Sequence, residues 1–138
     1  MAKFVMKNCR VEVNSIDFTD HASSVEVSLS KDDVETTSFS GSGRERVAGL
    51  RNEKFTVNFQ QDFAAANVDA TLWPLYNNET EFVVKVRPTA SAISTTNPEY
   101  TATVVLLEYQ PLAGKVGDLS ETSVTFPVQR GTLARNTS

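Results

Sequence analysis

The sequence predicts a mostly-β fold: two packed sheets or a barrel, with one short helix against one side. Six segments resemble strands, most of them alternating apolar and polar residues as half-buried strands do, and one segment has a helical period. A chain of 138 residues fits one domain that buries roughly two-thirds of its unfolded surface. We therefore expect a single domain over residues 1–138.

The first strands are predicted near the start of the chain. Residues 4–13 mix β-branched, aromatic and charged residues in near-alternation, and the pattern resumes after a polar break, which predicts a strand with a hairpin-like bend. Residues 23–30 alternate regularly and give the clearest strand pattern in this half, with Val25, Val27 and Leu29 on one face.

Residues 31–52 are predicted to form a long loop. They contain paired acids, a Gly-Ser-Gly centre and three arginines, with no sustained period, although short β edges at 34–39 fit the pattern. Long loops inside compact domains are usually functional or disordered. Four apolar residues indicate that this loop packs against something, namely Val34, Phe39, Val47 and Leu50.

A strand at 54–60 leads into the helix, with Phe55, Val57 and Phe59 predicted to face inward. The helix signal lies between Asn67, a candidate N-cap, and a stop at residues 77–78. Pro74 limits the expected helix to two or three turns. The predicted core anchors of the helix are Val68, Leu72, Trp73, Leu75 and Tyr76.

Three strand patterns and a polar tail complete the chain. Residues 80–88 alternate, and residues 100–109 are apolar on both faces from 104 to 107, which requires cover by the helix or by a neighbouring subunit. Residues 122–128 predict the last strand. The tail at about 131–138 is polar and is expected to be loose unless a partner orders it.

Composition excludes several classes of protein. The net charge is −4 and the pI is near 5.0, with scattered basic residues, which argues against a surface that grips nucleic-acid phosphates. Cys9 is the only cysteine, so an intramolecular disulfide cannot form. There is no signal-peptide pattern and no long apolar run, so we expect a soluble protein that is made in a cytoplasm and contacts no membrane.

The sequence offers little chemistry. His21 follows Asp20, but one histidine does not make a triad or a metal site, and a surface turn explains the pair. The glycines at 41–49 lack a following Gly-Lys-Ser/Thr, which favours a flexible loop over a phosphate cradle. Glu79 and Glu81 lie beside a turn, where they favour solubility over catalysis. We predict no enzyme activity, no catalytic or metal-binding residues and no cofactor.

Three segments carry a family resemblance: FQQDF followed by VDATLWPLY, the strand entry TNPEYTATV, and the ending PLAGKVGDLSETSVTFPV. In this order and spacing, and over about residues 11–132, the chain resembles the major tail (tail tube) proteins of long-tailed, non-contractile bacteriophages. The likeness is strongest to those of phages that infect actinobacteria.

This resemblance implies a β-sandwich with a flanking helix, the tail-tube fold, and a structural role in the virion. Six copies would form a ring by joining sheets edge to edge, and rings would stack into the tube through which DNA leaves the head. Implied partners are other copies of the chain and tail proteins such as the tape measure, terminator and distal tail proteins. The protein would be made in the bacterial cytoplasm and would end in the virion tail, with DNA passing through the lumen without specific binding.

The resemblance also assigns residues. Residues 31–52 match the family's ring-to-ring stacking loop, with candidate contacts at Phe39, Arg44, Arg46 and Leu50. The polar faces of the two clearest strands are candidates for the lumen, namely Glu26, Ser28, Asn58 and Gln60. Lys54, Lys85 and Arg87 depart from a passive lumen if they face the channel.

Other functions stay open at this point. One alternative is a non-enzymatic ligand-binding or carbohydrate-binding β module, which would stay monomeric and expose aromatic residues on one face. Another is a different phage structural protein, such as a tail terminator or a head-decoration protein. A tube subunit, in contrast, should form rings or filaments.

Overall fold

The computed structural model describes residues 3–138, so the first two residues of the expected domain lie outside the described part. Within that part the chain forms ten strands and one helix. In chain order they are β1 (Arg10–Val13), β2 (Ile16–Asp17), β3 (Ala22–Ser28), β4 (Lys31–Glu35), β5 (Arg46–Arg51), β6 (Lys54–Gln60), α1 (Val68–Asn77), β7 (Phe82–Arg87), β8 (Glu99–Val104), β9 (Glu121–Pro127) and β10 (Ala134–Asn136).

Two antiparallel sheets form the body of the domain. One has five strands in the order β10-β8-β7-β1-β2, and the other has three strands in the order β3-β6-β9. The tight turn between β1 and β2 places Asn14 and Ser15 at φ 51° and 68°, the left-handed pair that a two-residue hairpin turn requires. The hairpin-like bend predicted at this polar break is therefore present.

The core lies between the facing sides of these sheets. Phe55, Val57 and Phe59 of β6 are fully buried, and Phe126 of β9 packs edge-on against Phe82 at 5.7 Å between ring centroids. Phe82, the first residue of β7, therefore lies over β9. Near the other end of β7, Val86 lines one groove together with Val25 and Val27 of β3. The strands of the five-stranded sheet therefore run across those of the three-stranded sheet, as in orthogonal packing.

Residues 31–52 are not the irregular loop that the sequence predicted. β4 and β5 pair antiparallel, with Val34 opposite Val47 and Glu35 opposite Arg46, and only the tip at 36–45 is irregular. The hairpin continues the β3–β6 pair, because Asn52 N donates to Ser30 O at 2.8 Å where the two ribbons meet. We call residues 31–51 the hairpin arm.

The helix α1 spans ten residues, in agreement with two to three turns, and includes Pro74. Val68, Leu72 and Leu75 are buried, but the prediction that Trp73 and Tyr76 are core anchors is wrong, since they are 50% and 40% exposed. At about 100° per residue, Trp73 points well away from the buried stripe and Tyr76 lies at its margin. The two rings instead lie against each other, with centroids 6.2 Å apart.

Three other predictions need correction. The first strand is shorter than predicted, because residues 4–9 are not part of β1. The strand predicted at 100–109 ends at Val104, and beyond it Leu106 is buried while Leu107 is 67% exposed, so the run is not covered on both faces. The polar tail is not loose, because β10 pairs with β8 at the edge of the five-stranded sheet. An open edge supplies backbone hydrogen bonds that a hydrophobic pattern does not show.

Candidate functional site: an assembly surface

The outer side of the three-stranded sheet is a continuous polar surface. Register places Glu26 beside Thr56 and Thr125, and Asn58 between Ser24 and Ser123. The four predicted lumen residues Glu26, Ser28, Asn58 and Gln60 therefore share one side. We call this side the polar sheet face; it comprises Ser24, Glu26, Ser28, Lys54, Thr56, Asn58, Gln60, Glu121, Ser123, Thr125 and Pro127.

The polar sheet face is rich in hydroxyl and amide groups and is slightly acidic. Its charged residues are Glu26, Glu121 and Lys54, and Asn58 donates to Glu121 across the strands at 3.1 Å. Lys85 and Arg87 lie on the five-stranded sheet instead, and Arg87 Nε is 3.0 Å from the buried carboxylate of Glu99. A phosphate backbone facing this surface would meet one lysine, too little positive charge for strong binding.

Both edges of the three-stranded sheet are open. Within residues 3–138, no strand lies beyond β3 or beyond β9 in this sheet. Unpaired backbone N–H and C=O groups along two edges form a template for pairing with further strands. The sheet therefore offers a place for a further strand at each edge.

The hairpin arm projects from this sheet with exposed apolar side chains. Phe39 is fully exposed at its tip and Leu50 is 79% exposed. Gly49 lets the two strands of the arm approach closely, because a Cβ there would lie 2.8 Å from Val34 Cγ2 and 3.0 Å from Asp32 Cβ. The exposed apolar side chains suit a contact with another molecule.

Two predicted contact residues already have partners inside the arm. Arg46 Nε lies 3.1 Å from Asp33 Oδ2, and Arg44 Nε lies 3.8 Å from Glu35 Oε1. Both pairs are exposed, so each adds little to stability. Both arginines are thus paired with acids of the arm itself, whereas the apolar residues Phe39 and Leu50 remain free for contacts.

Sequence reasoning treated His21 as a surface histidine, but it bridges two carboxylates. Nδ1 lies 2.9 Å from Asp20 Oδ1, and Nε2 lies 2.9 Å from Asp62 Oδ2, 41 residues away. The hydrogen bond to Asp62 raises the pKa of His21, with Asp20 adding to the effect and burial opposing it. Asp62 also accepts from Asn67 Nδ2 at 2.7 Å, so this histidine ties β3 to the segment that enters α1.

Replacing His21 with Gln is expected to lower stability more in mild acid than in mild base. A raised pKa in the folded state gives stabilisation that is full below the unfolded value of about 6.5 and is lost as the pH rises through the folded pKa. Because the pair is partly exposed, the Tm loss should be a few degrees larger at about pH 5 than at about pH 8. Thermal denaturation of both proteins at each pH measures this, and an equal loss at both values would contradict it.

Tyr109 forms a second connection that the sequence did not indicate. Its hydroxyl donates to Asp69 Oδ1 of α1 at 2.8 Å and accepts from Gln61 Nε2 at 3.1 Å. Burial, together with Asp69, raises the pKa of Tyr109 to about 12. The phenol therefore stays protonated and holds the start of α1 to the chain that follows β8.

Among residues 3–138, no group of three or more His, Cys, Asp or Glu side chains is placed to hold a metal ion. Burial raises the pKa of Cys9, whose Sγ–H donates to Arg87 O at 2.9 Å, so its thiol is not activated. No helix of the described chain is long and apolar enough to span a bilayer.

The described chain thus combines an orthogonal sandwich, a flanking helix, an open-edged polar sheet and a projecting hairpin. The chain is similar to the tail tube of SPP1, with a TM-score of 0.76 and 11% identity over 99% of this chain and 80% of that one. It is also similar to the tail of an empty gene transfer agent particle with C6 symmetry, with a TM-score of 0.68 and 15% identity over 86% of this chain and 83% of that one. A third similar structure is the sheath/tube terminator of an extracellular contractile injection system, with a TM-score of 0.75 and 11% identity over 99% of this chain and 98% of that one.

No protein-family model and no curated protein matches the chain. At these identities, the structural likeness shows the fold. The predicted tail-tube fold is confirmed. The matched structures include a contractile system, so the fold does not by itself select non-contractile phages.

Proposed function

We propose that this protein is the structural subunit of a tail tube and resides in the tail of a phage or a phage-like particle. The observation that carries the proposal is the polar sheet face with its two open edges, β3 and β9. Joining β3 of one copy to β9 of the next extends the sheet, and a closed ring leaves no open edge in it. The similar tail with C6 symmetry supports a ring of six copies.

In this ring, the polar sheet face lines the channel. Its hydroxyl and amide groups, with Glu26 and Glu121 against Lys54, give a wet and slightly acidic wall. Such a wall lets DNA pass without strong phosphate binding, which suits a conduit for genome ejection. The assignment of Glu26, Ser28, Asn58 and Gln60 to the lumen is part of this proposal.

The hairpin arm then contacts the adjacent ring. Its tip extends beyond the three-stranded sheet along the β3–β6 direction, and Phe39 and Leu50 have no cover within the described chain. A second copy in the next ring would bury them. In this proposal the arm lies between rings, and the other partners are tail proteins such as the tape measure, terminator and distal tail proteins.

We further propose that the particle is a non-contractile phage that infects actinobacteria. This part of the proposal rests on the segments VDATLWPLY and PLAGKVGDLSETSVTFPV and their order in the sequence. The broader assignment, a tail-tube subunit of a phage-like particle, does not depend on it.

A tail terminator is the second candidate, because the chain is similar to a tube terminator over nearly its full length. A terminator closes one end of a tube and forms rings without growing into filaments. A ligand-binding or carbohydrate-binding module is a third candidate, because such modules display aromatic rings and Trp73 and Tyr76 form an exposed aromatic pair. A module of that kind should remain a monomer.

Purified protein examined by negative-stain electron microscopy and sedimentation velocity separates these functions. A tube subunit is expected to form rings and long tubes as concentration rises, aided by tail initiation components. Rings that never elongate would favour the terminator. A persistent monomer at high concentration, even with those components, would overturn the proposed assembly.

A further inference from the structure

The start of the described chain presents apolar side chains between two lysines. Phe4, Val5 and Met6 are 57%, 69% and 54% exposed, and Lys3 and Lys7 on either side are exposed as well. These residues belong to no strand or helix. We call residues 3–7 the N-terminal segment; it suits an apolar surface with a negatively charged rim.

A cleft with these properties lies at the end of α1. It has a volume of about 520 Å³, and its walls include the exposed apolar side chains of Tyr76 and Leu107. Glu79 and Glu81 provide the acidic side, and Gln129 Nε2 donates to Glu81 Oε1 at 3.2 Å. We call this the acidic cleft.

The N-terminal segment and the acidic cleft lie at opposite edges of the three-stranded sheet. Met6 lines one groove with Val25 and Val27 of β3, whereas Gln129 in the cleft lies two residues beyond the end of β9. Because β6 separates β3 from β9, the two surfaces stand at least about 10 Å apart across the sheet. They therefore lie near opposite edges of one subunit's sheet.

We propose that the N-terminal segment of one subunit docks in the acidic cleft of the next subunit of the same ring. This inference rests on the proposed tube assembly and adds a specific contact to it. When β3 of one copy lies beside β9 of its neighbour, the segment and the cleft come to the same junction. Because the two surfaces differ, the contact is heterologous and repeats once per subunit around a closed ring.

Charge and apolar character both fit this contact. Lys3 and Lys7 bring two positive charges to Glu79 and Glu81, and the apolar residues between them cover the exposed faces of Tyr76 and Leu107, which lie in the same cleft. The contact thus gains from apolar burial and from complementary charge at its rim.

Charge reversal with exchange of partners tests the contact. One variant carries Lys3→Glu and Lys7→Glu, and a second carries Glu79→Lys and Glu81→Lys. Each alone is expected to form at least about tenfold fewer rings than the unmodified protein, because like charges then meet at every junction. An equimolar mixture is expected to recover ring formation in alternating rings. There the acidic segment of the first variant meets the basic cleft of the second, and the unchanged basic segment of the second meets the unchanged acidic cleft of the first.

The controls separate this contact from folding and from the proposed function. Lys3→Arg with Lys7→Arg keeps the charges and should assemble like the unmodified protein, and circular dichroism should show all variants folded.

If the unmodified protein assembles and both reversal variants do so equally well, the contact is overturned and the tube assembly stands. If only a chain carrying all four reversals recovers, and the mixture does not, the contact lies within one chain and the proposal is wrong. If the unmodified protein forms no ring, both proposals fail.

Discussion

Replacing the hairpin arm, residues 31–51, by Asn-Gly is expected to leave a folded subunit that forms rings but no tubes. Ser30 and Asn52 already pair at the base of the arm, with Ser30 Oγ donating to Asn52 O at 2.6 Å. A two-residue turn of the Asn-Gly type connects such a pair directly. No arm residue is part of the buried core, so the Tm should change by only a few degrees.

Electron microscopy should show at least about a tenfold loss of tube length or number, because the apolar contact with the next ring is gone. A matched variant with an intact arm, Phe39→Ser and Leu50→Ser, should lose tubes while keeping β4 and β5 paired. Tubes of normal length from the armless protein would remove the arm's assigned role. The charge-reversal variants should fail earlier, at ring formation, so the two defects are distinguishable by sedimentation.

The alternating pattern predicted the strands of the core well. Residues 54–60 form β6 as expected, and Phe55, Val57 and Phe59 are buried, because a strand with one covered face shows its burial in the sequence. The same alternation places Glu26 and Asn58 on a common polar side. The sequence does not specify the direction in which the sheets cross, because that depends on packing between segments far apart in the chain.

The strands that the sequence missed have little or no buried face. Every residue of β4 is exposed, and β10 is exposed throughout, so no hydrophobic period marks either strand. Their pairing depends on a tertiary partner at an open edge. The His21–Asp62 pair was missed for a related reason, since its two residues are 41 apart and meet only when β3 and the segment before α1 come together.

Trp73 shows the limit of hydrophobicity as a guide to the core. A lone tryptophan in a short helix suggests an anchor, but its angle around α1 directs it away from Leu72 and Leu75. Under the proposed assembly, an exposed pair of aromatic rings suits a surface that a neighbouring copy covers. The helix is therefore held by aliphatic residues.

Phe126→Ala is expected to cost about 3–5 kcal/mol of the free energy of unfolding. Phe126 is fully buried, and its ring packs edge-on against Phe59 at 6.4 Å and Phe82 at 5.7 Å between centroids. It thus joins the two sheets, and neighbours held in strands on both sides relax only partly into a cavity. Since a domain of this kind has roughly 5–15 kcal/mol in total, the variant should lie near the limit of folding.

Urea denaturation at neutral pH measures this loss, with Trp73→Ala as the matched aromatic control. Half of Trp73 is already in solvent, so its truncation should cost no more than about 1.5 kcal/mol. Phe126→Leu keeps most of the buried volume and should fall between the two, at roughly 1–2 kcal/mol. If Trp73→Ala were as damaging as Phe126→Ala, the helix would be held by the tryptophan after all, and the central role of the phenylalanine contacts between the sheets would be wrong. The expected ranking places the stability of the domain in the sandwich core.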